Sequence, residues 1–265
     1  VYLILHKILA RLPQKLTHGL LNFFLKRVFK YRYAVIQNNL KAVFYTKGME
    51  EISVLVNEYY NNLARYISEI IRYPEKNLVK NGFIHFENGH LLEDYNPDKK
   101  HLIILTGHIG NWELIIPSLP LITTTKVYGV YKPLSNKSLD KYILKFRGKF
   151  GLVLTPMHKV VRYISNSSQR KAYVFINDQS PPLNSEGSII EFLGQPTKWY
   201  NGIEKINKYY DCAFLYMHCY PKNFGYTIKF EPLDSNIPLI DYINKLEIDI
   251  RKYPSFWLWS HKRWK

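Results

Sequence analysis

LIILTGHIGNWE, residues 102–113, is the stretch on which the reading of this chain turns. Five apolar or β-branched residues run without interruption into Gly107, and His108, Gly110, Asn111, Trp112 and Glu113 follow. A short continuous apolar run ending at a glycine reads as a strand buried on both faces. The two glycines allow a sharp turn and a close approach by a substrate. Asn111 is a favourable helix cap, which places Glu113 in the first turn of a helix. The stretch thus predicts strand, turn and helix in succession, with His108 on the turn.

Outward from this point the alternation repeats. HLIILTG (101–107), KVYGVY (126–131), KAYVFIN (171–177), CAFLYMHCY (212–220) and GYTIKFEPL (225–233) are short, β-rich apolar runs. Helical stretches are expected between them, over 113–119, 137–149, 159–165 and 201–210. Such an order specifies an α/β fold: a mixed central sheet flanked by helices, its antiparallel part near the C-terminal end. Residues 1–72 read as a helical N-terminal cap and 101–265 as the α/β core, together one domain spanning 1–265. In open α/β sheets, sites gather where strands end and helices begin.

Within the cap, Lys15, His18, Asn22, Lys26 and Lys30 fall at spacings of three and four and form one narrow polar stripe. Leu16, Leu20, Leu21, Phe23, Phe24, Leu25 and Val28 cover most of the remaining circumference, Arg27 excepted. A wide apolar face beside a basic stripe fits a helix lying in a membrane interface, and equally a core helix with a solvated edge. A longer helix is expected over 50–72, ending before Pro74. There is no signal peptide with a small-residue cleavage site. Nor is there a run of about 18–20 apolar residues. His6 and Lys7 interrupt the first candidate, and an anchor upstream of Val1 stays open.

The chain has 265 residues, 46% hydrophobic and 15% aromatic, enough for a substantial core and incompatible with intrinsic disorder. Its formal net charge of +16 suits a polyanionic partner, whether nucleic acid, anionic lipid or an acidic protein. Residues 1–49 carry nine Lys or Arg and no Asp or Glu, and no acid follows Asp249. The two cysteines, Cys212 and Cys219, are too few for a disulfide framework. Their odd separation along a strand points them to opposite faces, as reduced thiols.

The 107–113 junction suits acyl transfer. A hydroxyl attacking a thioester must lose a proton, and neutral imidazole is the side chain tuned for that near pH 7. A carboxylate on the far ring nitrogen fixes the tautomer and stabilises the imidazolium. His108 and Glu113 are accordingly the candidate base and orienting acid, with backbone N–H groups at the helix start as candidate oxyanion donors. A structural loop histidine that caps a helix is the plain alternative.

Several blocks, taken in order, resemble the bacterial lipid A biosynthesis acyltransferases within the lysophospholipid acyltransferase superfamily. They are LARLP (9–13), YRYAVIQNNLKAVF (31–44), GHIGNWE (107–113) and YKPLSNKSLDKYILKFRGKFG (131–151). FINDQSP (175–181), GSIIEFLGQPTKWYNGIEKI (187–206) and WLWSHKRWK (257–265) complete the series. The resemblance implies that His108 and Glu113 form the family's HX4D/E motif. It also implies a role for Arg147 and for Asp178, and Arg147, Asp178, Asn111 and Lys132 are the candidate substrate-binding residues. Arg147 is suited to a phosphate of acceptor or donor, and Asp178, at a strand end, is expected to pair with Arg147 and hold it. A structural ion pair is the alternative for both. Where the family commonly has Tyr-Arg-Pro, this chain has Tyr131-Lys132-Pro133, which keeps the charge and loses bidentate geometry.

The implied activity is transfer of an acyl chain from acyl carrier protein to a hydroxyl of a lipid A precursor. The implied location is the cytoplasmic face of the cell inner membrane, peripheral or anchored. Expected partners are acyl carrier protein, an anionic membrane surface and the lipid acceptor. No cofactor is expected beyond acyl-ACP or acyl-CoA as co-substrate, since Gly-rich phosphate loops, an HExxH helix and Cys/His clusters are missing. An amino-acid-linked lipid, another glycolipid or a lysophospholipid is the alternative acceptor. A basic nucleic-acid-binding protein is the remote one, because the chain carries no recognised nucleic-acid motif. The aromatic and basic WLWSHKRWK is read as a membrane-interface belt.

Overall fold

The computed structural model describes residues 9–72, 78–167, 169–182 and 185–264; His6, Lys7 and Pro74 lie outside them. The anticipated strand is β2, His101–Thr106, and all six of its residues are buried. It lies inside a seven-stranded sheet of order β1-β9-β8-β2-β5-β3-β4. These strands are β1 Ile84–Phe86, β3 Lys126–Tyr131, β4 Val153–Pro156, β5 Lys171–Ile176, β8 Cys212–Pro221 and β9 Tyr226–Pro232. All pairings are parallel except β8 with β9. The fold is the mixed α/β sheet that the alternation specifies, with helices on both faces and a helical N-terminal region. Cys212 and Cys219 on β8 are buried, free thiols.

Helices α1 Gln14–Phe23, α2 Tyr33–Val43 and α3 Met49–Arg72 make up the N-terminal part. The sheet is interleaved with α4 Leu91–Asp94, α5 Trp112–Ser118, α6 Lys137–Arg147, α7 Val160–Ser165, α8 Gly202–Tyr209 and α9 Pro238–Lys252. In α9, Leu239, Tyr242, Ile243, Leu246 and Ile250 are buried at spacings of three and four, so one stripe faces the sheet. That stripe reaches the end of β2: the Tyr242 hydroxyl donates to the Thr106 carbonyl at 2.9 Å. A Cβ on Gly107 would stand 2.5 Å from the Leu246 side chain, so any larger residue there would have to displace that leucine of α9.

Three elements depart from expectation. Strand β1 precedes residue 101, and a hairpin, β6 Ser188–Phe192 with β7 Gln195–Trp199, forms a separate two-stranded sheet. Its two-residue turn, Leu193 and Gly194, takes positive φ at both positions, the type I′ geometry. The C-terminal aromatic run is not a membrane belt. Trp257 and Trp259 are 2% and 0% exposed, and Arg263 is 3% exposed beneath the hairpin, over the Trp199 ring. These side chains fill the space between the hairpin and the end of β2, and they gain more from burial than from a headgroup region.

Helix α1 has the inverse pattern of a core helix. It gives way at Phe24–Val28 to a π-helical turn. Leu16, Leu20, Phe23, Phe24 and Val28 are exposed. The buried residue of α1 is Thr17, and the His18 ring lies 3.1 Å from the Asn61 carbonyl of α3. Thr17, His18 and Asn22 therefore turn toward the protein together with Leu21 and Leu25, while the rest of the apolar face meets the surroundings.

Candidate active site

Strand register builds the site. Thr106 of β2 pairs with Ile176 of β5, so the residues two positions beyond each, His108 and Asp178, arrive at the same level. The Asp178 carboxylate, 2% exposed, receives three hydrogen bonds. Its Oδ1 lies 2.5 Å from His108 Nδ1, and its Oδ2 accepts from the His108 backbone N–H at 2.8 Å and from the Trp257 indole at 2.7 Å. Burial alone would raise the Asp178 carboxyl, but the His108 charge and these hydrogen bonds outweigh it and hold the group down at about 2. An ionised carboxylate only accepts, so His108 carries its proton on Nδ1 and presents the Nε2 lone pair outward. The Trp112 ring stands edge-on against the imidazole at 4.9 Å.

The turn is held from the other side by the C-terminal segment. Gly110 N–H donates to the Phe256 carbonyl and Leu258 N–H to the His108 carbonyl, an antiparallel bridge between Ile109 and Trp257. Gly110 has φ +62, and a Cβ on it would collide with the Cys219 sulfur, so two independent constraints demand glycine.

His108 opens onto a cavity of about 710 Å³ whose walls include Trp112, Ile116, Gly129, Leu154 and Val174, with Glu113, Asp140, Lys132 and Arg147 as charged groups. A second cavity, of about 280 Å³, shares Tyr131, Lys132, Ile176 and Gln179 with the first and continues past Phe175 and Asn177. Helices α5 and α6 wall the first cavity and α7 and α8 the second, and the two meet at the carboxyl ends of β3 and β5.

The candidate residues pair differently from expectation. Glu113 does not orient His108: its two carboxylate oxygens accept from Arg147 Nε at 2.8 Å and Nη2 at 2.5 Å. Asp178 takes the place behind His108 and does not meet Arg147. Burial would lower the Arg147 guanidinium, but Glu113 outweighs it and raises it. Asn111 occupies the helix-cap position without a side-chain cap bond. Its amide donates to the Tyr66 carbonyl and to Glu69 of α3, and it is 1% exposed, so it ties the turn to the N-terminal helices and lines neither cavity. Lys132 stands at the mouth of both cavities. The backbone donors of His108 and Gly110 are engaged, which leaves neither free for an oxyanion.

Sequence reasoning missed Gln179 and Trp257 as members of the site. Gln179 Nε2 lies 3.2 Å from His108 Nε2. Its one signal was adjacency to Asp178 in FINDQSP; Trp257 had none beyond its aromatic neighbours.

The fold and site together define an α/β protein with a histidine–aspartate pair at the carboxyl end of a central strand, facing a cavity that joins apolar side chains to a Glu113–Arg147 ion pair and Lys132. The chain belongs to the bacterial lipid A biosynthesis acyltransferase family, whose description matches residues 1–265. None of the curated proteins compared with it matches significantly. Among the described residues, no helix is long and apolar enough to cross a membrane.

Proposed function

We propose that this acyltransferase moves a fatty acyl chain from acyl carrier protein to a hydroxyl of a lipid A precursor at the cytoplasmic face of the inner membrane. The observation that carries the reading is the outward lone pair of His108 Nε2, fixed by the buried Asp178, at the mouth of an apolar cavity. The acceptor hydroxyl gives its proton to Nε2 as its oxygen attacks the thioester carbonyl. Asp178 stabilises the imidazolium, and no covalent enzyme intermediate or cofactor is needed. The acyl chain lies in the larger cavity, against Trp112, Ile116 and Leu154. Glu113 serves at one remove: it clamps Arg147 in a fixed orientation on the cavity wall, where the guanidinium can meet a phosphate. Lys132 supplies a second cation at the junction. The net charge of +16 suits an acidic carrier protein and an anionic membrane.

The lysine at position 132, where the family commonly has arginine, favours a second reading in which the acceptor is another glycolipid, an amino-acid-linked lipid or a lysophospholipid. The test is incubation in detergent with labelled acyl carrier protein, or acyl-CoA, and a panel of these acceptors. Transfer to the lipid A precursor alone, lost in a folded His108→Ala protein, is expected. Transfer to a different acceptor replaces the substrate, and an active His108→Ala protein removes the base.

A further inference from the structure

Gln179 occupies an unusual position. With Nδ1–H committed to Asp178, the Nε2 lone pair of His108 accepts a hydrogen bond, and the Gln179 amide nitrogen lies 3.2 Å away to donate it. The reactive nitrogen is thus covered at rest by a neutral donor. The backbone on both sides of Gln179 is pinned. Asp178 is held by His108 and Trp257; the Ser180 N–H donates to His261 Nε2 at 3.1 Å, and the Ser180 hydroxyl donates to the Arg263 carbonyl at 2.7 Å. Between these two fixed points the Gln179 side chain is exposed and lines both cavities. It is free to swing while its backbone stays in place.

Two N–H groups of the turn beside it are committed elsewhere. A tetrahedral intermediate forming next to Nε2 places negative charge on the former carbonyl oxygen, and donors aimed at that charge are a large part of catalysis. The His108 and Gly110 N–H groups are already engaged. A donor within one side-chain swing of Nε2 is the amide that guards it.

We propose that Gln179 is a catalytic residue that covers Nε2 at rest and donates to the oxyanion in turnover, a role that rests on the acyl-transfer reading above. The acceptor hydroxyl displaces the amide from Nε2. Its oxygen forms a bond to the thioester carbon, its proton goes to Nε2, and the C=O electron pair moves onto oxygen, where the Gln179 N–H meets it. The pair then returns to re-form C=O, the C–S bond breaks, and the departing thiolate takes the proton from Nε2. The ester and free thiol leave, and the amide covers His108 again.

The experiment compares wild type with Gln179→Ala and Gln179→Glu, each checked for an unchanged melting temperature, which its exposed side chain makes the expected result. Loss of one oxyanion donor lowers kcat by about 10²–10³-fold with KM little changed. The glutamate variant keeps the size and favours the imidazolium, so the acid limb of its kcat/KM profile moves to higher pH. A measurement without turnover separates this proposal from the acyl-transfer reading: diethylpyrocarbonate modifies the His108 peptide faster in Gln179→Ala, because Nε2 is uncovered. A wild-type kcat in Gln179→Ala, a loss confined to KM, or an unchanged modification rate overturns the role. Absence of transfer by wild type overturns the acyl-transfer reading instead, whatever the modification rate.

Discussion

At the scale of single residues, His108 is useful as a base only in one tautomer, and Asp178 sets it. Asp178→Asn leaves the volume nearly unchanged and offers a donor where an acceptor is needed, so we expect kcat to fall by about 10⁴-fold with the fold retained. Single-turnover assays at saturating donor measure it. A second residue makes the same loop sensitive to acid. Burial holds the His261 imidazole at about 4 against an ordinary 6.5, and its Nε2 accepts the Ser180 N–H. The folded form favours the neutral ring, so its contribution is complete above about pH 6.5 and is lost as pH falls toward 4. Melting temperature should therefore decline across that window, and less steeply in His261→Gln, whose amide oxygen can still accept. An equal slope in the two proteins would remove His261 as the cause.

At the scale of elements, what was legible in the sequence was local. The apolar run 126–131 became β3 with the same bounds, because composition and turn residues specify a strand without reference to its neighbours. The exchange of partners between Glu113 and Asp178 was not legible. Asp178 is 70 residues from His108 in sequence, and only the parallel register of β2 with β5 brings them level. The tail 257–264 misled for another reason: aromatic and basic residues compose a membrane belt and a buried lid equally well, and the bridge from Ile109 to Trp257 decides between them. Strand β3 also carries a prediction. Gly129 lines the larger cavity, and a Cβ there would meet Leu152 at 3.0 Å and Leu154 at 3.5 Å. Gly129→Ala should shift preference toward shorter acyl donors, read as a change in relative kcat/KM across a chain-length series. A uniform loss across the series would mean that the chain lies elsewhere.

At the scale of the whole molecule, the exposed apolar face of α1 and its π-turn stands beside Arg27 and Lys30, with Phe29 69% exposed. An aromatic ledge among cations suits an anionic bilayer, where each basic residue near the surface contributes about 1 kcal/mol. Removing Arg27 and Lys30 together should weaken binding to anionic vesicles by about 30-fold, and added salt should weaken wild type similarly. Binding that ignores both, or no binding at all, would remove this ledge as a membrane contact. This ledge and the His108 turn are joined through the protein: Asn111 and Tyr226 both donate to Glu69 on α3, against which α1 packs. The C-terminal segment bears on the timing of activity. A ribosome releases His108 well before Trp257, and until Trp257 and its neighbours fold back, Asp178 lacks its indole donor and the turn lacks its bridging strand. The His108–Asp178 pair is therefore complete only after the last residues of the chain have been made and folded back.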